Sequence, residues 1–125
     1  MAVKVALGAL REAAAQYGQR LGRAPAGARG KVAPDTLLYR KGDNLIVSTP
    51  FLNTGVEILE GKWTGEVSVQ PKAFSEMLNE SAKLWKDVGG DAAEVMVSFD
   101  AGTLTVRWSD GKSARSRSMP AKRTG

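Results

Sequence analysis

The sequence lacks cysteine and histidine altogether, although it has 125 residues. Without these side chains the chain has no imidazole base, no thiol nucleophile and no zinc site of the usual nitrogen and sulfur ligands. An enzyme built on it would need carboxylates, lysine or a hydroxyl group alone, and the sequence suggests no cluster of carboxylates facing a cleft. We therefore expect a non-enzymatic protein with no catalytic residues, no cofactor and no metal.

Long apolar runs are missing as well. Lys, Glu, Gly or Asp interrupts every apolar stretch within a few residues, and none approaches the roughly 20 apolar residues that span a bilayer. The first residues show no basic and then apolar secretory signal. We expect a soluble, cytoplasmic protein with no membrane partner. The length and the 42% hydrophobic content suit one compact domain and exclude a wholly disordered chain.

Acidic residues are unevenly distributed, so the net charge of +5 conceals a segregation along the chain. Residues 1–41 hold eight basic and two acidic side chains, residues 42–111 hold five and eleven, and residues 112–125 hold five and none. Basic ends are typical of proteins that contact nucleic acid or another polyanion. A total of +5 is equally compatible with ordinary solubility.

The first half of the chain has the pattern of a strand, a helix and three strands. An alternating opening at residues 3–5 precedes apolar residues at steps of three and four, which predict a helix over 7–21. A basic loop rich in glycine and proline follows over 22–34. Residues 36–49 then predict a hairpin, and the alternation at 55–60 predicts a third strand.

The second half repeats this order. A strand over 65–69 leads into a helix that Pro71 opens and Gly89-Gly90 ends, and three strands follow within 94–118. The first repeat covers about 3–60, the second about 65–119, and a basic tail covers 120–125. We predict a single α+β domain over 1–125, in which two helices lie side by side on an antiparallel sheet of up to eight strands.

The wording of four segments resembles one domain of a DNA sliding clamp of the bacterial DNA polymerase III beta-subunit type. These segments are ALREAAAQYGQRL after the opening strand, DTLLYRKGDNLIVST, GEVSVQPKAFSEMLNES and DAGTLTVRWSDGKSARSRSMPA. They resemble the family's first helix, its central hairpin, its passage from strand to helix and its closing hairpin. The resemblance covers about residues 3–121 and implies the DNA-clamp fold.

The resemblance also implies an assembly and a partner. Known clamps close a ring of six such domains, with two or three in each chain, whereas this chain has one and would need six copies. The final strand SARSRSM carries two arginines, which discourage strand addition at a sheet edge. We therefore expect a monomer or small oligomer, with the closed hexameric ring as the less favoured outcome. The family's peptide-binding pocket lies near a later domain and a linker, so its residues cannot be transferred here.

In the clamp family the paired helices meet DNA phosphates through Lys and Arg without reading base sequence. The candidate DNA-binding residues on the two helices are Arg20, Arg23, Lys72, Lys83 and Lys86. The alternative for these cations is a solvated helix face, since acidic residues accompany the lysines. The expected partners are double-stranded DNA and replication or repair proteins, and the alternative function is a protein-binding α+β module with no DNA role.

Further candidate contacts lie outside the helices. Arg29 and Lys31 belong to the Gly/Pro-rich loop, and Arg115 and Arg117 share one side of the last strand. The two arginines are predicted to form a row with no acid nearby, or else to protect an edge strand from unwanted pairing. Among the tryptophans, Trp85 and Trp108 are predicted to be core residues. Trp63, in a Gly-Lys-Trp-Thr-Gly loop, is a candidate exposed aromatic contact.

Overall fold

The computed structural model describes residues 1–21, 35–49 and 52–124, and within these ranges the chain forms two α-helices and ten β-strands. The first half contains β1 (Ala2–Ala6), α1 (Leu7–Leu21), β2 (Thr36–Lys41), β3 (Asn44–Ser48), β4 (Asn53–Glu57) and β5 (Glu60–Lys62). The second contains β6 (Glu66–Val69), α2 (Pro71–Leu84), β7 (Glu94–Asp100), β8 (Thr103–Ser109), β9 (Ala114–Pro120) and β10 (Lys122–Arg123). The predicted order of strand, helix and three strands, written twice, is therefore confirmed, with one short strand added to each repeat.

The strands form two antiparallel sheets rather than the single sheet of up to eight strands that the sequence predicted. Sheet I has the order β5-β1-β7-β8-β9, and sheet II has the order β10-β6-β2-β3-β4. The prediction was wrong because the first strand of each repeat pairs with the hairpin of the other. Val3 of β1 lies opposite Val97 of β7, and Val67 of β6 lies opposite Leu38 of β2.

This exchange relates the two repeats by an approximate twofold symmetry. Each sheet order becomes the other when every strand is replaced by its counterpart in the other repeat, so β1 corresponds to β6, β4 to β9 and β5 to β10. Since each sheet contains strands from both repeats, neither repeat has a complete sheet of its own. The two repeats must therefore fold together.

The helices pack side by side, as predicted, and close the core over the two sheets. α1 contacts β3 and β4, and α2 contacts the corresponding strand β9. Leu10 of α1 and Phe74 of α2 occupy equivalent positions and are fully buried. The alternating valines and leucines of the strands meet them in one continuous apolar core.

The second helix begins and ends for local chemical reasons. The Gln70 side chain accepts a hydrogen bond from the Ala73 backbone N–H at 2.6 Å, and Pro71 occupies the first helical position, where its missing N–H costs nothing. The α-helix ends at Leu84, before the predicted residue 88, because residues 86–88 and 90–92 form two 3₁₀ turns. Gly89, with φ of +119°, makes the left-handed link between them.

Candidate nucleic-acid interface

A groove between the two helices brings together the clearest group of cations on the molecule. It has a volume of about 600 Å³ and is open to solvent. Its walls come from the start of α1, the last turns of α2 and the 3₁₀ turn at 90–92 that follows. The lining side chains and glycines are Arg11, Asn79, Ala82, Lys83, Lys86, Gly89, Gly90 and Asp91. Three cations therefore face one acid, which makes the groove attractive to an anion.

Lys83 and Lys86 were both predicted as DNA contacts, and the structure places them together in this groove. They lie three residues apart at the end of α2, so they project from neighbouring positions on its surface. Neither forms an ion pair with any residue of the described ranges. Both ammonium groups are exposed there, so each could meet a phosphate without first breaking an internal ion pair.

Arg11 is the third cation of the groove, and the sequence reasoning missed it. Its Nε and Nη2 donate to the two carboxylate oxygens of Asp91 at 2.9 and 2.7 Å. This bidentate bond lowers the pKa of Asp91 and raises that of Arg11. The partners are 80 positions apart in the chain, so no local pattern announces the pair.

Gly8 allows this pair to form. A Cβ atom at this position would lie 2.8 Å from Cβ and 2.9 Å from the backbone oxygen of Asp91. Only a residue without a side chain lets the turn carrying Asp91 approach α1 so closely. The Leu7 N–H also donates to the Ala93 carbonyl at 2.9 Å, which ties the start of the helix to the end of the same turn.

The predicted row of Arg115 and Arg117 with no acid nearby is wrong. Both arginines lie on the edge strand β9, but β9 packs against α2, and the acids of that helix and of the 3₁₀ turn after it reach them. Arg115 donates to both carboxylate oxygens of Asp87 at 2.7 Å, and Arg117 donates to Glu80 at 2.5 Å. The Asp87 pKa is lowered as a result.

The other predicted contacts divide into two sets. Lys72 lies 4.0 Å from the Glu76 carboxylate one helical turn away, which is a loose pair in solvent. Arg20 belongs to the last turn of α1, while Arg23, Arg29 and Lys31 lie outside the described residues. Of the five predicted contacts whose side chains are described, only Lys83 and Lys86 have no acidic partner in the described ranges.

Trp63 is not the exposed aromatic contact that the sequence suggested. It is only 3% exposed, and its indole N–H donates to the Leu38 carbonyl at 3.3 Å. The loop that carries it folds over the core, where the large ring gains apolar contacts and its N–H still finds an acceptor. Trp85 is buried as predicted, and Trp108 is half-buried beneath the Arg115 guanidinium, 5.7 Å from its ring centre.

Two further structural findings concern the described part of the chain. Its side chains include no group of three or more carboxylates that could hold a metal ion. Neither of its α-helices combines the length and the apolar character that crossing a bilayer requires. Comparison of the chain with protein-family models and with curated proteins found no match.

Proposed function

We propose that this protein is a non-enzymatic, sliding-clamp-like module that associates with double-stranded DNA through sequence-independent phosphate contacts. The observation that carries the proposal is the pair of lysines, Lys83 and Lys86, in the groove between the helices without an acidic partner in the described ranges. Lysine ammonium groups bind phosphate as point charges and do not distinguish one base sequence from another.

The fold supports the clamp-like part of the proposal. Two equivalent repeats place their helices side by side, each in contact with the sheet that ends in its own repeat's edge strand. Such a pair of helices offers a broad, continuous surface to a duplex. The resemblance of the sequence segments to a clamp domain concerns these same strands and helices.

The ion pairs of the described surface make the proposed binding weak. Arg11, Arg115 and Arg117 each hold an acid, so their fields are largely cancelled at physiological salt. Binding should therefore occur at low salt and fall steeply as salt rises. Because few phosphates are neutralised, the slope of log affinity against log salt should be small.

Fluorescence anisotropy with a labelled duplex of mixed sequence, repeated at several salt concentrations, tests the proposal. The double variant Lys83→Gln/Lys86→Gln should weaken binding at low salt and reduce the salt slope by about two phosphates' worth. The matched control is Lys41→Gln/Lys62→Gln, which removes the same charge from two exposed strand positions. It should reduce binding much less. Equal losses in both variants would mean that net charge, not the groove, attracts the duplex.

The alternative function is a protein-binding α+β module with no DNA role, and one observation favours it. Leu84 at the end of α2 is 59% exposed and directly follows Lys83. An exposed leucine suits a protein partner better than a phosphate backbone. Complete absence of duplex binding at low salt would reject the DNA proposal and leave this module as the better interpretation.

A further inference from the structure

The free edge of sheet II is strand β4, and its outward main-chain groups can be identified. The Thr49 N–H donates to the Leu52 carbonyl, and the Ile58 N–H donates to the Asp43 carbonyl, both at 2.9 Å. Residues 52 and 58 therefore direct their main-chain groups toward β3. Since these groups alternate along an antiparallel strand, Asn53, Gly55 and Glu57 direct theirs away from the sheet.

This edge lacks the usual protection against strand addition. Residues 53–57 include no lysine, arginine or proline, and they carry a glycine at the centre. Leu52 is 39% exposed at one end of the strand, and Ile58 is half-buried just beyond the other. Natural edge strands are more often blunted by charge, proline or a bulge.

We propose that two copies of this chain associate through β4, antiparallel and around a twofold axis at Gly55. This register sets Asn53 of one copy opposite Glu57 of the other, and Thr54 opposite Val56. It also sets Leu52 opposite Ile58 at both ends, so each exposed leucine gains an apolar partner. No like charges oppose each other, and about six main-chain hydrogen bonds form across the axis.

The second copy fits β4 better than the other edge strand does. Strand β9 carries Arg115 and Arg117 in its ladder and ends at Pro120. If β4 paired antiparallel with β9, at least one of these arginines would stand opposite β4's residues, and pairing β9 with itself around Ser116 would set Arg115 opposite Arg117 twice. Pairing β4 with itself avoids both arrangements and leaves no β4 edge open to a third copy.

The arrangement has a consequence for the whole assembly. A twofold axis between antiparallel strands runs perpendicular to the sheet, so the two copies of sheet II become one ten-stranded sheet. Both α1 helices then lie on the same side of it, because each contacts β3 and β4 of its own copy. The inference does not depend on DNA binding and would hold for a protein-binding module as well.

Sedimentation equilibrium over a concentration series from micromolar to millimolar tests the inference. The full chain should change from 13.3 kDa toward twice that mass. Gly55→Pro removes one outward N–H that β3 does not use and should leave a monomer. The matched control Ser118→Pro removes an outward N–H at the equivalent position of β9 and should leave the dimer intact. Circular dichroism of each variant verifies that it is folded.

A second variant keeps the test valid if the prolines disturb the fold. Leu52→Lys changes an exposed side chain and sets a charge opposite Ile58, which should weaken dimerisation by about tenfold or more. A chain that stays monomeric throughout the series would overturn the inference. A dimer unaffected by both β4 variants would do so too, as would a stable species near six times 13.3 kDa.

Discussion

The two repeats share an interior but differ at their edges. Val56 of β4 and Met119 of β9 are equivalent, because they lie opposite the equivalent residues Leu45 and Leu104, and both are buried. Two positions earlier in each strand the likeness ends, since β4 has Thr54 where β9 has Arg117. The next equivalent pair is Leu52 and Arg115, an exposed leucine against an ion-paired arginine.

This difference separates what the fold requires from what it leaves free. The apolar positions repeat because each sheet takes strands from both repeats and needs the same layer of side chains beneath them. The outer positions of the edge strands are not bound by that requirement. One edge is therefore charged and tied to α2, while the other is uncharged at the same positions and, by the proposal above, open to a second copy.

The largest expected effect concerns the shared interior. Leu10→Ala and Phe74→Ala delete fully buried side chains at equivalent positions of the two helices. Each should lower the free energy of unfolding by about 3–5 kcal/mol, through lost burial and the cavity left behind. Urea denaturation followed by circular dichroism and by tryptophan fluorescence measures both variants.

The two probes should agree for each variant, because the repeats exchange strands and must unfold together. Separate transitions, or a large loss in one variant and almost none in the other, would show that the repeats are energetically independent. Ala73→Ser, an exposed change on α2, serves as the control and should alter stability by less than about 0.5 kcal/mol.

A smaller effect is expected at Gly8, whose equivalent in α2 is Lys72. In an isolated helix, Gly→Ala is favourable by about 1 kcal/mol. Here the new methyl group would lie within 3 Å of Asp91, so the turn must move and the Arg11 pair must loosen. Gly8→Ala should therefore destabilise the protein by about 1–3 kcal/mol. A stabilised variant in thermal or urea melts would contradict the close packing of this turn on α1.

Local patterns in the sequence were sufficient to predict the elements but not their partners. The bounds of α1 were predicted to the residue, and those of the long strands to within a few, because apolar spacing and turn residues are local signals. Strand exchange was not predictable, since β1 and β7 have the same alternating pattern whether or not they pair. The burial of Trp63 depends on the Leu38 carbonyl, 25 positions away.

The candidate site was predictable only in part, for the same reason. Lys83 and Lys86 were identified because they share the exposed side of one helix. Arg115 and Arg117 were correctly placed on one side of an edge strand, but their acids are 28 and 37 positions away along the chain. Arg11 was missed because Asp91, the residue that fixes it, belongs to a turn packed against the other end of the chain.

Acidification should affect the charged edge before the uncharged one. In the folded protein, hydrogen bonds from Arg115 and Arg11 lower the pKa values of Asp87 and Asp91 below their ordinary value of 3.8. The unfolded state therefore binds protons first, and the stability that these carboxylates contribute is present above about pH 4 and lost as the pH falls through the lowered values. Hydrogen exchange should show β9 losing protection on acidification before β4 does.

A local variant and a second carboxylate complete the acid test. Arg115→Gln should bring the Asp87 pKa closer to its ordinary value and reduce the pH dependence of β9 protection. Asp110 belongs to the same edge, and its pKa is lowered because the backbone N–H groups of Ser113 and Lys112 donate to its carboxylate. This turn should remain ordered in the Arg115 variant at neutral pH. Simultaneous loss of protection in β4 and β9 would mean that acid unfolds the whole domain at once.

The smallest expected change in stability comes from removing one pair at the charged edge. Glu80→Gln leaves Arg117 without its acid on an exposed surface, so the free energy of unfolding should fall by less than about 1 kcal/mol, and the difference should disappear at high salt. The same substitution also frees a cation beside the helices. If the proposed phosphate contacts exist, duplex affinity at low salt should rise by a few-fold and the salt slope by about one phosphate. Glu57→Gln changes the charge equally on the opposite edge and controls for net charge. Equal gains in the two variants would assign the effect to net charge alone, whereas a gain confined to Glu80→Gln would mean that this acid weakens DNA binding by masking Arg117.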